Sequence, residues 1–291
     1  MKLCSIPSVL LLALSVAATA QEPQGVVIGS MSEHFEVPFR LFRGYLMVVQ
    51  GSLGTGNAMN FLVDTGADPS VIDSKVAQRL KLNEVNGKLA LLNQNIEVKR
   101  AVLPSLKIGP LRAESLPILV RDLAFLQSGL GVSVDGVIGL DVLGRSNFAL
   151  DYKRKRLIFG SVQPLNSRLS FQSGPPFITV QIEADGQQMN LLLDTGASGL
   201  LLFRSRIRDR FPYLTASGEK ASSNMGGDVR LQQVMFAKIR LGETDFGRQK
   251  AFLVEDQRDS GREFDGLLGI STLGLTQIAF DFERHILFWK K

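Results

Sequence analysis

Cysteine and histidine are almost missing from this chain. Its 291 residues include one cysteine, Cys4, and two histidines, His34 and His285, which lie near opposite ends of the sequence. A single cysteine excludes an intrachain disulfide, a thiol redox pair and a cysteine-rich zinc site. A zinc centre with three protein ligands would need both histidines, and serine–histidine or cysteine–histidine catalysis would have to use one of them. We therefore expect no metal, no cofactor and two surface histidines, and carboxylates are the most available catalytic groups.

The charge and composition are those of an ordinary globular protein. Hydrophobic residues make up 45% of the chain, and 33 Lys and Arg residues against 28 Asp and Glu residues give a net charge of +5. This composition excludes a disordered tail. The densest basic run, Lys153 to Arg156, is flanked by the apolar runs Phe148-Ala149-Leu150 and Leu157-Ile158-Phe159. That arrangement predicts a solvated turn between two strands, so we expect no nucleic-acid partner.

The first 20 residues have the pattern of a secretory signal peptide. Lys2 precedes a mostly apolar run from Ile6 to Ala17, and Ala18-Thr19-Ala20 is a small-x-small cleavage signal. We predict cleavage after Ala20 and export to the periplasm or the medium. The apolar run is shorter than the roughly 20 residues that a membrane-spanning helix needs. No membrane span is therefore expected once the signal is removed.

The rest of the chain consists of two copies of one unit. The segment Met59–Ala67 (MNFLVDTGA) recurs as Met189–Ala197 (MNLLLDTGA), and the offset between the copies is 130 residues. Asp135-Gly-Val-Ile-Gly recurs as Asp265-Gly-Leu-Leu-Gly at the same offset. Several blocks with one offset indicate an internal duplication. We expect a first lobe at 21–160, a linker rich in Ser, Gln and Pro at 161–176, and a second lobe at 177–291.

Each copy is predicted to be mostly β. The continuous apolar runs Phe61-Leu62-Val63 and Leu191-Leu192-Leu193 are typical of strands buried on both faces. Short helices are expected at Ser74–Leu82, at Arg204–Phe211 and just after each Asp-Gly-apolar-apolar-Gly block. The chain has no long amphipathic helix pattern, so the predicted fold class is all-β, with two barrel-like lobes.

The repeated Asp-Thr-Gly sequence puts a carboxylate at the end of a buried strand in each copy. If the two copies meet around a pseudo-twofold axis, Asp64 and Asp194 lie side by side. Two carboxylates that close cannot both ionise, so the pair would share one proton. The threonines can hydrogen-bond across the axis, and the glycines allow a sharp turn that brings N–H donors near the carboxylates. The supporting residues are Thr65, Gly66, Thr195 and Gly196.

Each copy resembles a lobe of a retropepsin-type aspartic protease: two apolar residues and Asp-Thr-Gly-Ala, a flap segment, then two apolar residues and Gly. The whole chain is similar to the bacterial aspartyl protease family that has two such lobes in one polypeptide. This resemblance implies a bilobal β fold with the active site between the lobes, and hydrolysis of peptide bonds by water activated between Asp64 and Asp194. It also implies a peptide or protein substrate. Val137-Ile138-Gly139 and Leu267-Leu268-Gly269 match the structural segment beneath the catalytic loops.

Two further expectations follow from the resemblance. Ala67 and Ala197 stand where pepsins have a hydroxyl residue that supports the acidic carboxylate, which argues against a strongly acid-adapted pair. Because one chain supplies both lobes, we expect a monomer, although pairing of lobes between chains is an alternative.

The flaps depart from the family pattern. They are expected near Gly87–Val102 and Gly218–Val234. The second has Met225-Gly226-Gly227 at its tip, the first has no glycine within Leu89–Asn95, and neither has the tyrosine of pepsin flaps. A catalytically weak or inactive peptide-binding protein that uses the same cleft is therefore the alternative to an active protease.

The remaining acidic residues near the motifs are expected to be structural. They lie at turns or strand ends: Asp135, Asp265, Asp151 and Asp281. Asp68 and Ser198 follow the two Asp-Thr-Gly-Ala blocks directly, and one of them could support a catalytic loop without touching the reacting atoms. The sequence leaves that role open for both.

Overall fold

The structure, a computed structural model, describes residues 8–9, 34–54, 56, 58–90, 95–174, 177–224, 227–255 and 264–291. The signal-peptide prediction and its cleavage position lie outside the described residues, except for Ser8–Val9. Those two residues form β1, which pairs in parallel with Ser222–Ser223. Both histidines are exposed, as expected. Within the described part of the chain, no helix combines the length and apolarity that crossing a membrane requires.

The described residues of the first half form ten strands and three short helices. The strands are β2 (Phe35–Phe42), β3 (Leu46–Leu53), β4 (Met59–Val63), β5 (Val71–Asp73), β6 (Val85–Ala90), β7 (Asn95–Ile108), β8 (Leu111–Arg121), β9 (Gly136–Ile138), β10 (Phe148–Asp151) and β11 (Arg156–Phe159). The helices are α1 (Ser74–Arg79), α2 (Ala124–Leu130) and α3 (Leu140–Leu143).

The second half repeats this order, except that two short strands take the place of β2 and most of the positions equivalent to α2 lie outside the described residues. Its strands are β12 (Ser167–Ser170), β13 (Gln172–Gly174), β14 (Phe177–Ala184), β15 (Gln187–Asp194), β16 (Leu200–Phe203), β17 (Gly218–Asn224), β18 (Gly227–Leu241), β19 (Thr244–Val254), β20 (Gly266–Gly269), β21 (Gln277–Asp281) and β22 (Ile286–Lys290). The helices are α4 (Arg204–Ile207) and a 3₁₀ turn at Ile270–Leu273. The prediction of an all-β chain with two similar lobes is confirmed.

The strand before each Asp-Thr-Gly lies inside a sheet. Strand β4 pairs antiparallel with β3 and parallel with β9, and β15 pairs in the same way with β14 and β20. Leu62 and Leu192 are fully buried at the centres of these strands. A strand paired on both sides and apolar on both faces is held firmly, so the residue that follows it is placed precisely in space.

A continuous sheet joins the lobes. Strand β10 of the first half pairs antiparallel with β21 of the second half, with Ala149 opposite Ala279 and Phe148 opposite Phe280. The Phe148 and Phe280 rings stack with centroids 4.6 Å apart. Since residues 149 and 279 are equivalent in the repeat, the pseudo-twofold axis passes between them. The axis that relates the two lobes therefore runs through the pairing of β10 with β21, which we call the inter-lobe seam.

The segment expected to be a linker carries two strands. Strand β12 pairs with β22, and β13 pairs with β14. Phe171, between the two strands, is buried. The second structural copy thus begins inside 161–176, because β12 and β13 together make the pairings that β2 makes in the first copy.

The helices and turns partly match their predictions. Helix α1 begins at Ser74 as predicted, after Asp73 accepts a capping hydrogen bond from the Lys75 N–H at 2.9 Å. Helix α4 is shorter than predicted, and α2 was not predicted. Within the run from Lys153 to Arg156, the first three residues lie in the hairpin turn between β10 and β11 and Arg156 begins β11, and Arg154 forms an ion pair with Glu36 at 2.8 Å.

Candidate active site

Asp64 and Asp194 lie at the same place in the two lobes and face each other across the axis. Both residues are fully buried, and their side chains interact directly. The Asp64 N–H donates to the Ile138 carbonyl at 3.0 Å, which ties the end of β4 to the apolar-Gly segment beneath it. Asp194 is paired with Gly269 in the equivalent way. The repeated strands therefore bring together the two carboxylates that the sequence singled out.

Each carboxyl group has one satisfied and one unsatisfied oxygen. Asp64 Oδ1 accepts a hydrogen bond from the Gly66 N–H at 2.8 Å, and Asp194 Oδ1 accepts one from the Gly196 N–H at 2.7 Å. Among the described residues, no donor reaches Oδ2 of either aspartate. Two buried acceptors that face each other repel unless a proton lies between them. The arrangement therefore favours a pair that carries one proton.

The loop glycines pack directly against the opposite carboxylates. A Cβ atom on Gly66 would lie 2.6 Å from Asp194 Cγ, and one on Gly196 would lie 2.6 Å from Asp64 Oδ2. Real Cβ atoms do not approach other atoms this closely, so any other residue would have to displace the opposite aspartate. This close approach requires glycine at both positions. Glycine also permits the sharp turn of each Asp-Thr-Gly loop.

The threonines form four hydrogen bonds across the axis. The Thr65 N–H donates to Thr195 Oγ1 at 3.0 Å, and the Thr195 N–H donates to Thr65 Oγ1 at 3.1 Å. The hydroxyls in turn donate to carbonyls of the opposite strand, Thr65 Oγ1 to Leu193 at 2.9 Å and Thr195 Oγ1 to Val63 at 3.1 Å. All of these bonds are buried, so they fix the separation of the two loops.

Burial raises the pKa of both carboxyl groups above the usual range of aspartate. The neighbouring charge of Asp64 raises the pKa of Asp194 further. The backbone N–H groups of the loops oppose this shift by stabilising the charged forms. The two groups interact so closely that they titrate as a pair, one proton being retained well after the first is lost.

Asp68 belongs to a second pair of carboxyl groups in the first lobe. Burial, with a further contribution from the charge of Asp141, raises the pKa of Asp68 to about 7. Asp141 accepts hydrogen bonds from the Ser70 hydroxyl at 2.6 Å and the Ser70 N–H at 2.9 Å. The Ser70 hydroxyl also accepts from the Gly139 N–H at 3.0 Å, so this network anchors the first Asp-Thr-Gly loop.

Replacing Asp68 with asparagine should make stability less dependent on pH. Because the folded-state pKa of Asp68 is about 7 and its ordinary value is 3.8, the folded protein holds a proton that the unfolded chain releases. Its contribution to stability is therefore present at low pH and is lost as the pH rises from about 4 to about 7. Thermal melts should show Asp68→Asn close to the parent protein at pH 4 and more stable than the parent at pH 8. A constant difference at both pH values would contradict this linkage.

Ser198, the counterpart of Asp68, has a different partner. Its side chain forms a hydrogen bond with the hydroxyl of Tyr45 from the other lobe, and Tyr45 also lies within the electrostatic influence of Asp194. Burial raises the pKa of Tyr45 to about 12, so the phenol stays protonated. Sequence reasoning missed Tyr45, because an aromatic residue just before an apolar strand has the pattern of a core residue.

The other acidic residues are structural, as expected. Asp135 and Asp265 each accept a hydrogen bond from the backbone N–H of an asparagine within β4 or β15, the strands that carry the catalytic aspartates, at 2.8 and 2.9 Å. Asp151 and Asp281 accept hydrogen bonds from backbone N–H groups in the hairpin turns that follow them. None of the four is a member of the central pair.

Hairpins are present in both predicted flap regions. Strand β6 pairs with the start of β7, and β17 pairs with the start of β18. The tips at 91–94 and 225–226 lie outside the described residues, and with them the expected contrast between a tip with glycine and a tip without it. Gly227 lies at the start of β18 and pairs with Asn224.

A comparison with protein-family models gives two matches, both to the aspartyl protease model, at residues 49–142 and 178–272. Each match contains one Asp-Thr-Gly loop and the apolar-Gly segment beneath it, and together they cover more than half of the chain. A search of the curated proteins gives no match. The duplicated match agrees with the duplicated strands, loops and hydrogen bonds described above. The chain belongs to the aspartyl protease family, whose domain it contains twice in one polypeptide.

Proposed function

We propose that this protein is an exported aspartic endopeptidase that hydrolyses peptide bonds with water activated between Asp64 and Asp194. The observation that carries the proposal is the pair of buried carboxyl groups on the axis, each with an Oδ2 atom that accepts no hydrogen bond from the described residues. A proton and a water molecule are what such a pair can hold. Both loops come from one chain, so the proposed site needs no second subunit.

The proposed reaction uses the two aspartates in different roles. The ionised carboxylate takes a proton from water while the water oxygen bonds to the scissile carbonyl carbon, and the protonated carboxyl group donates its proton to the carbonyl oxygen. The tetrahedral intermediate then collapses: the C–N bond breaks, the leaving nitrogen receives a proton from the pair, and one hydroxyl of the intermediate returns its proton to the pair as the C=O bond of the product acid forms. One proton remains on the aspartates at the end, so the site is ready for another cycle.

The flap hairpins suggest how a peptide would bind. Among the described strands, β6 is the last of its sheet, and β17 has the two-residue β1 on its outer side. A strand with free N–H and C=O groups can pair with an extended peptide, and the peptide's side chains then alternate between the two sides. We infer that substrates bind in an extended conformation between these hairpins and the aspartates.

The proposal can be tested with a mixed peptide library incubated with the protein across a range of pH, beside Asp64→Asn as the matched inactive variant. Cleavage products from the parent protein alone would support an active protease. Peptides that bind both proteins without being cut would instead identify a peptide-binding protein. Products that appear equally with both proteins would show that Asp64 is not catalytic.

We also infer that the protein is exported and loses residues 1–20. The support is the basic residue, apolar run and small-x-small signal at the start of the sequence. Amino-terminal sequencing of protein recovered outside the cytoplasm should give Gln21 as the first residue. A chain that still begins at Met1 would contradict cleavage.

A further inference from the structure

The two Asp-Thr-Gly loops are attached to the segments beneath them in different ways. In the second lobe, the Gly269 N–H donates to the Gly199 carbonyl at 2.9 Å, so main chain binds main chain. In the first lobe, the equivalent N–H belongs to Gly139, and it donates to the Ser70 hydroxyl at 3.0 Å. A side chain of the first lobe thus takes the place that a main-chain carbonyl has in the second.

The residues that make this difference are not repeated. At the offset of the repeat, the counterpart of Ser70 is Leu200, which has no hydroxyl. The counterpart of Asp141, the residue that binds Ser70, is Ser271, which has no carboxylate. Ser70 and Asp141 are therefore a hydrogen-bonded pair that belongs to the first lobe and cannot form in the second.

Asp141 holds the Ser70 side chain in place. The Ser70 hydroxyl donates to Asp141 Oδ1 at 2.6 Å, and the Ser70 N–H donates to Oδ2 at 2.9 Å, so both carboxylate oxygens bind the same residue. The hydroxyl has one hydrogen, which Asp141 takes, and its oxygen is left to accept from Gly139. Ser70 is only 1% exposed and Gly139 is buried. Without the hydroxyl, the Gly139 N–H would lose its partner in a place that water does not reach, which is the costly case.

The segment that this pair holds is bound directly to the first catalytic loop. The Asp64 N–H donates to the Ile138 carbonyl at 3.0 Å, and the Leu140 N–H donates to the Ala67 carbonyl at 2.8 Å. These bonds lie on either side of Gly139 along the chain. A displacement of Gly139 therefore moves the backbone that carries Asp64.

We propose that Ser70 and Asp141 are positioning residues for Asp64, on which they act through the apolar-Gly segment beneath the first loop. This inference rests on the proposed function, since catalysis gives the position of Asp64 a kinetic consequence. In the second lobe, Gly269 pairs with Asp194 in the sheet and binds Gly199 through the main chain. The site thus combines one aspartate held through side chains with one held through the main chain.

Threonine and valine at position 70 provide a matched test. Threonine keeps the hydroxyl, and valine replaces it with a methyl group of about the same size, so the added volume is common to both. Ser70→Thr should keep kcat within about threefold of the parent protein. Ser70→Val should lower kcat about tenfold to a hundredfold, as expected for a displacement of up to about 1 Å at a reacting group, with KM within about twofold. Equal kcat values in the two variants would overturn the inference. If neither variant folds, Ser70→Ala removes the hydroxyl without adding volume, and it is compared with the parent by the same criterion.

Asp141→Asn tests the other half of the pair. An amide has one acceptor oxygen and Ser70 presents two donors, so one of the two bonds is lost. We expect kcat to fall about tenfold, and the double variant with Ser70→Val should be no slower than the slower single variant, because the two residues act as a unit. Ser271→Ala, at the equivalent place in the second lobe, is the control and should keep kcat within about twofold. Additive losses, or an equal loss in Ser271→Ala, would contradict the inference.

Amide hydrogen exchange followed by NMR tests the inference without peptide cleavage. In Ser70→Val, the Gly139 and Asp64 amides should exchange at least about tenfold faster than in Ser70→Thr, because the first loses its acceptor and the second is bound to the segment that loosens. The Gly269 amide should exchange at the same rate in both variants and serves as the internal control. If the parent protein cleaves no peptide but the variants show this pattern, the proposed function fails and the positioning of Asp64 is still supported. Equal exchange of the Gly139 and Asp64 amides in the two variants would overturn the inference in an active or an inactive protein.

Discussion

Replacing Asp194 with asparagine should lower peptide cleavage by at least about a thousandfold, and Asp64→Asn should do the same. One carboxylate must accept a proton from water while the other donates one to the scissile carbonyl, and asparagine can do neither. The double variant should cleave no more slowly than either single variant, because the two groups act as a unit.

A plot of activity against pH should be bell-shaped, and its two limbs should report the titration of the aspartates as a pair and not of either residue alone. With Ala67 and Ala197 in place of hydroxyl residues, we expect an optimum in the weakly acidic range.

The same two variants should fold at least as well as the parent protein. Asparagine nearly matches aspartate in shape, and it removes a negative charge that burial makes unfavourable. Because the pKa of each aspartate is raised in the folded state, the parent protein loses stability as the pH rises, and the variants lose less. Thermal melts beside the cleavage assay check this, with Asp209→Asn as a surface control whose side chain is 89% exposed. Substantial cleavage by either folded variant would show that these aspartates are not the catalytic pair.

Adding a single methyl group to a loop glycine should lower the activity nearly as much as replacing a catalytic aspartate. In Gly196→Ala the new Cβ would lie 2.6 Å from Asp64 Oδ2, and in Gly66→Ala it would lie 2.6 Å from Asp194 Cγ. The opposite carboxyl group must move, and a displacement of about 1 Å at a reacting group can lower the rate about a hundredfold. We therefore expect a loss of at least that size in kcat/KM for each variant.

Gly186→Ala separates this effect from a simple loss of stability. Gly186 lies in the turn between β14 and β15 with φ of +83°, and nothing lies within 4 Å of its added Cβ. Alanine there is strained by roughly 1 kcal/mol, but it touches neither aspartate. This variant should melt at a lower temperature and keep its kcat/KM. If Gly196→Ala also kept its activity, the close packing of glycine on Asp64 would not matter for catalysis.

The duplication is what made the site predictable from the sequence. Two copies at one offset predict equivalent strand ends, and equivalent ends meet on a twofold axis, so the sequence alone predicts the pairing of Asp64 with Asp194. The hydrogen bonds between Thr65 and Thr195 followed from the same symmetry. What the repeat predicts well is whatever both lobes share.

Two kinds of feature were harder to predict. Strand β12 belongs to the repeat, but its segment is rich in Ser, Gln and Pro, which is the pattern of a linker, and its partner β22 lies far along the chain. Asp68 and Ser198 occupy equivalent positions, yet one faces Asp141 and the other faces Tyr45. The sequence alone could not choose between roles for them, because each role depends on a residue brought close only by the fold.

The inter-lobe seam has a consequence for how the chain reaches its folded state. Gln277 of β21 follows Asp151 of β10 by 126 residues, and the two face each other in the sheet. Pairings between such distant segments form slowly. Until β21 arrives, one edge of β10 stays open, and Phe148 and Leu150 lie along it. An open apolar strand edge is a template for intermolecular association. The chain therefore passes through a period in which a neighbouring copy can compete with its own second lobe for β10.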